Sequence, residues 1–365
     1  MRVLHLTDHY PPALGGIETH VALLAERQAA RGDDVTVLTP SPAASDGRVS
    51  SDTGPVRVLR TGSNRAAVAE GRSGYDVVHA HVSVVAPFTS PVAATLARRG
   101  VPTLVTVHSL WNGLGPVPAT VAALQGLLGA PVTWSAVSTL AADVVRSVVR
   151  GRPTVLVVPN AVDVAARAAS PAPGGPVTLV STMRIARRKR PRQLVTMMDA
   201  VRRTATTPVR LVIVGDGPLH DRVLRDVRGR GLDGLVTVTG RLEPAEVLRT
   251  LGGADVYVAP AVLESFGLAV LEARCVGLPV VGRADSGMTD FVTDGVEGSL
   301  SRSDAGMVAD LVELVDDPGL RTRMAEHNRT TPSQMTWAHA MLRNDEAYAV
   351  TVDRARGAVR AGAGR

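Results

Sequence analysis

The chain is short of several things, and each shortage removes a class of protein. Only 3% of its 365 residues are aromatic, too few for a surface that stacks nucleobases. Cys275 is the single cysteine, so neither an internal disulfide nor a thiolate metal cluster can form. Its setting at the end of an apolar helical stretch reads as core packing. Lysine is almost missing: Lys189 stands alone among 40 basic residues, which suggests codon bias and draws attention to an ammonium at that position. No H-E-x-x-H, no Cys/His cluster and no strand-end carboxylate pair is visible, so no metal and no cofactor is expected. No signal-peptide pattern opens the chain, since residues 1–6 read directly as a strand, and a cytoplasmic protein is expected.

What is present is the material of a globular α/β protein. The length suggests two domains, each able to bury a core. With 45% hydrophobic and 20% charged residues, disorder is excluded. The formal charge of +6 invites a polyanion or an anionic membrane, but we read it as a generic basic surface; no nucleic-acid module is recognisable, and no nucleic-acid partner is expected. Residues 100–142 contain no Asp, Glu, Lys or Arg. They are too broken by Pro and Gly for a spanning helix, which needs about 20 apolar residues. Buried strands and a core helix explain them, with a surface for lipid or an apolar acceptor as the alternative.

Taken in order, residues 3–7 form a strand, a loop carries Asp8 and then Gly15-Gly16, a helix covers 17–31, and a strand follows at 35–38. This is the opening of a doubly wound sheet. Paired glycines let a backbone amide approach an anion, whereas the lack of a full G-x-G-x-x-G disfavours a nicotinamide site. Further strands are predicted at 56–59, 77–80, 103–107, 132–137 and 155–158, with helices at 87–99, 118–128 and 139–149. Asp8, His81, His108-Ser109 and Asn160 fall in the loops after strands, where ligands bind in such sheets. A Pro/Ala/Gly linker at 164–176 separates a second β/α series. Its strands are predicted at 177–180, 211–214, 236–238, 256–259 and 279–281, and its helices at 191–203, 219–230, 244–251, 268–276, 305–315 and 318–327. The domains are therefore expected at 1–165 and 176–334, followed by a helix over 335–357 that packs back on the first domain. The end of the chain, 354–365, reads as a loose small-residue and Arg tail.

Two stretches carry chemistry. Met183-Arg184-Ile185-Ala186-Arg187-Arg188-Lys189-Arg190-Pro191 follows an apolar run and offers fixed positive charge at a strand end. Glu264-Ser265-Phe266-Gly267-Leu268-Ala269-Val270-Leu271-Glu272 follows another and offers two carboxylates eight residues apart, with Gly267 where a helix begins. Together they read as a pocket for a phosphorylated, hydroxyl-rich ligand, a sugar nucleotide.

The ordered set Pro11-Pro12-x-x-Gly15-Gly16-x-Glu18, Val78-His79-Ala80-His81, Thr106-Val107-His108, Val158-Pro159-Asn160, Arg184 with Lys189, Val214-Gly215-Asp216-Gly217 and Glu264-x-Phe266-Gly267-x-x-x-x-Glu272 resembles the retaining glycosyltransferases of family four. The resemblance implies the GT-B fold: α/β, with two Rossmann-like β/α/β domains facing a central cleft. It implies transfer of a sugar from a nucleotide-diphosphate donor, a UDP-sugar first and GDP-mannose second, without a metal. Arg184 and Lys189 would hold the diphosphate, Glu264 would lie near the transferred sugar, and His108 would reach that sugar from the first domain. Donor contacts are implied for Gly15, Gly16, Gly215, Ser265, Phe266, Gly267, Leu268 and Glu272, the last through the ribose hydroxyls. The competing structural readings are a solvated basic run, notably Arg187, Arg188 and Arg190, exposed carboxylates, and a satisfied strand-end histidine; His81 reads as structural. Residues 281–288 depart from the family's Gly-Gly-x-x-Glu pattern, which leaves donor choice open. The acceptor, a small molecule or a lipid-linked glycan, is unidentified, and peripheral contact with the inner membrane face and the oligomeric state stay open. The alternatives are a GT-B sugar-nucleotide epimerase and a non-catalytic sugar-nucleotide-binding scaffold.

Overall fold

The computed structural model describes residues 1–13, 15–42, 54–111, 125–149, 154–163 and 174–363. Most of the helix expected at 118–128 and of the linker expected at 164–176 lies outside the described residues. The chain divides into two compact units, Met1–Ala161 with Trp337–Arg365, and Val162–Thr336.

In the first unit seven parallel strands form one sheet: β1 (Arg2–Thr7), β2 (Asp34–Thr39), β3 (Val56–Arg60), β4 (Val77–Val82), β5 (Thr103–Val107), β6 (Thr133–Ala136) and β7 (Val155–Val157). Their order is β3-β2-β1-β4-β5-β6-β7. Parallel strands need crossovers, and helices supply them: α1 (Gly16–Ala30), α2 (Asn64–Gly71), α3 (Thr89–Arg98) and α4 (Thr139–Val148). The short α2 was not foreseen; its signal is Ser63, whose hydroxyl accepts from the Ala66 amide as an N-cap. One face of the sheet is apolar, with Leu4, Leu6, Val78, Ala80, Val105 and Val107 in a single cluster with residues of α2, α3 and α4. The last helix, α11 (Trp337–Ala363), belongs to this unit. Its Ala347 and Tyr348 pack on Val3, Val77 and Leu104 of the opposite face. The helix runs on to Ala363, which corrects the expected loose tail: Ala and Arg are among the strongest helix formers, and they dominate residues 354–363.

The second unit has six parallel strands: β8 (Val177–Thr182), β9 (Val209–Val214), β10 (Val236–Val238), β11 (Val256–Val258), β12 (Val280–Arg283) and β13 (Gly298–Ser301), in the order β10-β9-β8-β11-β12-β13. The edge strand β13 was not foreseen, because Gly-Ser-Leu-Ser carries little β propensity and β12 is its one neighbouring strand in the sheet order. Helices α5 (Pro191–Thr204), α6 (His220–Gly229), α7 (Pro244–Gly252), α8 (Leu268–Cys275), α9 (Asp304–Asp316) and α10 (Pro318–Thr330) complete it. No helix among the described residues is long and apolar enough to cross a membrane.

Both strand orders reverse beside their first strand, between β1 and β4 and between β8 and β11. At such a point the loops leaving two neighbouring strands run to opposite sides and open a crevice at the carboxyl ends. In the second unit those loops are the two chemistry-bearing stretches. Their seat is set by a close backbone approach. Gly215 has φ 134°, and a Cβ there would lie 1.9 Å from the Met183 carbonyl oxygen. The Ile185 amide donates to the Asp216 carbonyl at 2.8 Å, stitching the same two loops together. Gly215 therefore works as the bed of the Arg184 loop. We expect Gly215→Ala to cost about 1–3 kcal/mol, as overpacking does elsewhere, because the Met183 carbonyl must shift. Urea denaturation of the variant checks this; an unchanged midpoint would refute it.

Candidate active site

The basic loop leaves β8 with Arg184 exposed, then tightens into a 3-10 turn over Arg187–Lys189. That turn aims Lys189 at Glu264 on the loop after β11, and Nζ lies 2.5 Å from Oε2. Two residues 75 apart in sequence thus share one point in space. Arg190 does not belong to a solvated run, which corrects that reading. It adopts the left-handed conformation (φ 56°), donates both terminal guanidinium nitrogens to Asp304 at 2.8 and 2.7 Å, and also donates to the Pro260 carbonyl. Such a bidentate clamp ties the basic loop to the start of α9, and the third bond ties it to the loop after β11.

Past Glu264 the chain turns at Gly267, φ 96°, which is the N-cap of α8. The first amides of that helix, from Leu268, have no intrahelical partner, so the helix start suits an anion. The Phe266 ring is buried and lies 5.2 Å from that of Phe291. With the whole residue 1% exposed, the Phe266 ring serves packing within the second unit. Glu272 sits one turn further on, half-buried, and burial raises its pKa above the ordinary carboxylate value. Tyr257, at the centre of β11, feels both Glu264 and Glu272; its pKa is raised first by burial and then by those two charges. The structure thus brings Lys189, Glu264 and Glu272 together around the β8/β11 switch point. Ser265 and Leu268 lie half-buried on the same loop and helix start. Cys275, expected in the core, is instead half-buried at the last position of α8.

In the first unit, exposed Gly15 and Gly16 open α1 without a side-chain cap. The Glu18 carboxylate lies back against Gly15, where a Cβ would come within 2.3 Å of its Oε2, and it complements the positive end of the helix. Asp8 accepts from the Phe88 and Thr89 amides at 2.9 and 3.2 Å, bridging the loop after β1 to the start of α3. His108 is buried just beyond β5, its Nε2 3.0 Å from Nδ1 of His81.

Sequence reading found no Cys/His cluster, and the fold corrects this. His5 stands opposite His79 in the β1/β4 register, and His81 lies two residues on, facing the same side. Among the described residues His5, His79 and His81 form the group with metal-ligand proximity. Each of their ring nitrogens already has a hydrogen-bond partner within the protein, however, so a cation would have to break those bonds. Period-two histidine on neighbouring central strands was the signal available in the sequence.

Burial pushes His5 and His108 down to about 4 and His20 to about 3, and His79 and His81 well below their ordinary value. Folding therefore releases protons. This stability is fully present above the unfolded value of 6.5 and is lost as pH falls from there towards 4. By pH 5 the first unit should have lost on the order of several kcal/mol, since each titrating group adds about 1.4 kcal/mol per pH unit. Calorimetry at pH 7.5, 6 and 5 should show the transition of that unit moving down ahead of the other. A melting profile that stays constant over this range would refute the prediction.

Comparison with known proteins bears on the family and the fold. The model of the glycosyltransferase family 4 matches residues 14–166, and that of the glycosyl transferases group 1 matches residues 164–331. The glycogen synthase of Mycobacterium tuberculosis (strain CDC 1551 / Oshkosh) is 29% identical over 379 residues, covering 90% of this chain and 89% of the relative. Among solved structures, sucrose-phosphate synthase from Thermosynechococcus elongatus superposes with a TM-score of 0.78 at 20% identity, over 95% of this chain and 98% of that one. Anabaena HepE in complex with UDP gives 0.77 at 16% identity, over 96% and 100%. These likenesses establish the two-domain GT-B fold. Two family models, meeting end to end over both β/α units, identify the chain as a glycosyltransferase of group 1.

Proposed function

We propose that the enzyme transfers a sugar from a nucleotide-diphosphate donor, UDP-linked in preference to GDP-mannose, to an acceptor hydroxyl, with retention at the anomeric carbon and without a metal. The observation that carries this reading is the Lys189–Glu264 contact at the β8/β11 switch point, with Arg184 on the same loop and Glu272 on α8. Arg184 and Lys189 offer fixed positive charge to a departing diphosphate, and preorganised charge of this kind is usually the largest catalytic contribution. It stands where other enzymes use a divalent ion, so EDTA should leave turnover unchanged. The Glu272 carboxylate is able to accept from two adjacent ribose hydroxyls. Glu264, held by Lys189, lies beside the transferred sugar. The neighbour crystallised with UDP supports the choice of base. The acceptor is a hydroxyl of a small molecule or of a lipid-linked glycan.

Thermal unfolding with UDP, GDP or ADP tests the donor. A nucleotide at about 100 times its dissociation constant should stabilise by roughly 2.7 kcal/mol, and Glu272→Ala should abolish the shift. Arg184→Ala and Lys189→Ala should each lower turnover by about 10²-fold, the loss seen when one oxyanion donor is removed. No shift with any nucleotide would sink the donor reading, and a UDP-sugar isomerised without acceptor would favour an epimerase.

Glu272 also carries a stability cost, because its carboxylate is desolvated. A raised carboxyl pKa penalises the folded state above that pKa, and the penalty vanishes below the ordinary value of 4.5. Glu272→Gln should therefore melt higher than the parent at pH 7, with the difference closing below pH 4.5, while losing nucleotide binding. A lower melting temperature at pH 7 would contradict the assignment.

A further inference from the structure

The face of the first sheet that carries the histidines holds an unbroken hydrogen-bond chain. Ser135 Oγ lies 3.2 Å from the Val105 carbonyl oxygen, and Thr106 Oγ1 lies 2.6 Å from Ser135 Oγ. His79 Nε2 is 2.7 Å from Thr106 Oγ1, and His79 Nδ1 is 2.9 Å from the Tyr348 hydroxyl of α11. Gln28 of α1 joins that hydroxyl at 2.9 Å to His5 Nε2 at 2.7 Å. His5 Nδ1 meets His81 Nε2 at 2.9 Å, and His81 Nδ1 meets His108 Nε2 at 3.0 Å. Every side chain in the series is buried.

A neutral imidazole has one donor and one acceptor, and a hydroxyl has one proton, so the direction of one bond fixes the next. The Val105 carbonyl can only accept, which commits the Ser135 proton to it. Ser135 Oγ then accepts from Thr106, Thr106 accepts from His79 Nε2–H, and His79 Nδ1 accepts from Tyr348. The Tyr348 oxygen accepts from the Gln28 amide nitrogen, leaving Gln28 Oε1 to accept from His5 Nε2–H. His5 Nδ1 accepts from His81 Nε2–H, and His81 Nδ1 accepts from His108 Nε2–H. Flipping the Gln28 amide would reverse every bond at once, but it would cost the bond from Ser135 to Val105, in a setting where an unmade buried bond costs about 1–3 kcal/mol. Two orientations keep every bond between side chains, and the one that also keeps the bond from Ser135 to Val105 is favoured.

We propose that this chain locks His108 as the Nε2–H tautomer, so that Nδ1 is an acceptor, and that Tyr348 and Gln28 are the positioning residues that carry the polarity from the Val105 carbonyl to it. His108 is then neither a general acid nor a cation at neutral pH. The last helix acts at the sheet edge through one hydroxyl, although Tyr348 touches neither His81 nor His108 in the chain of bonds. The inference does not depend on the donor or on the acceptor.

The test is a long-range ¹H–¹⁵N spectrum of the full chain with labelled histidine at pH 7.5, where His108→Gln identifies the His108 signals. The expected result is a protonated Nε2 and a bare Nδ1 for His5, His79, His81 and His108. Tyr348→Phe should then shift the His108 nitrogens towards a mixture of tautomers while the fold is retained, which a tyrosine that only packs would not do. Should that variant fail to fold, the parent spectrum still decides: Nδ1–H on His108, or tautomers that differ along the series, overturns the proposal. So does binding of equimolar Zn²⁺ by His5, His79 and His81, because the chain would then be a metal site.

Discussion

The reversal of strand order beside the first strand of each sheet is the constraint on which the rest depends. Parallel strands cannot be joined by tight turns, so each crossover returns the chain to the same edge and places all loops that follow strands together. In the second unit the reversal falls between β8 and β11, and the loops on either side carry Lys189 and Glu264. A contact across 75 residues then needs no special device beyond sheet topology and a 3-10 turn. What does need a device is holding the basic loop still against its own charge. Arg190 supplies it through Asp304 and the Pro260 carbonyl, and Gly215 supplies it by letting two backbones touch.

In the first unit the same topology is used differently. The face covered by α2, α3 and α4 is ordinary hydrocarbon, whereas the opposite face changes character along its strands. It begins as Val3, Val77 and Leu104 and ends as His5, His79, His81 and Thr106. Polar groups buried this deeply are tolerated only when they satisfy one another, and a half-satisfied network would be worse than an apolar one. Burial away from water explains why the neutral forms of these histidines are so strongly preferred. Mutual pairing explains why a helix from the far end of the chain belongs to this unit: without Tyr348, His79 Nδ1 and the Gln28 amide nitrogen would each lose a partner.

Most of the architecture was legible because buried parallel strands write themselves as short Val/Leu-rich runs between helical stretches, as at residues 177–182 and 209–214. The weak edge strand Gly298–Ser301 and the short helix Asn64–Gly71 escaped because neither carries a strong pattern of its own; each is held by its neighbours. At the site, the two stretches that pair were visible as motifs, but their division of labour was not. Nothing local separates Arg190 from Arg187 and Arg188, since what makes Arg190 structural is Asp304, more than a hundred residues away. The histidine chain was hidden for a related reason. Its members alternate correctly along β1, β4 and β5, yet only the register of three strands and two helices shows that their ring nitrogens meet.

The lone lysine gains meaning from this geometry. In a chain that uses arginine almost everywhere, an arginine at position 189 would present a wide planar fork, well suited to gripping a carboxylate with two bonds. Glu264 would then be gripped as firmly as Asp304 is by Arg190. An ammonium is a compact charge with rotatable donors, able to hold Glu264 at a single oxygen and to turn towards a second anion without giving up the first. The two neighbouring positions therefore divide the work by chemistry: guanidinium at 190 for a fixed clamp, ammonium at 189 for a contact that can be shared.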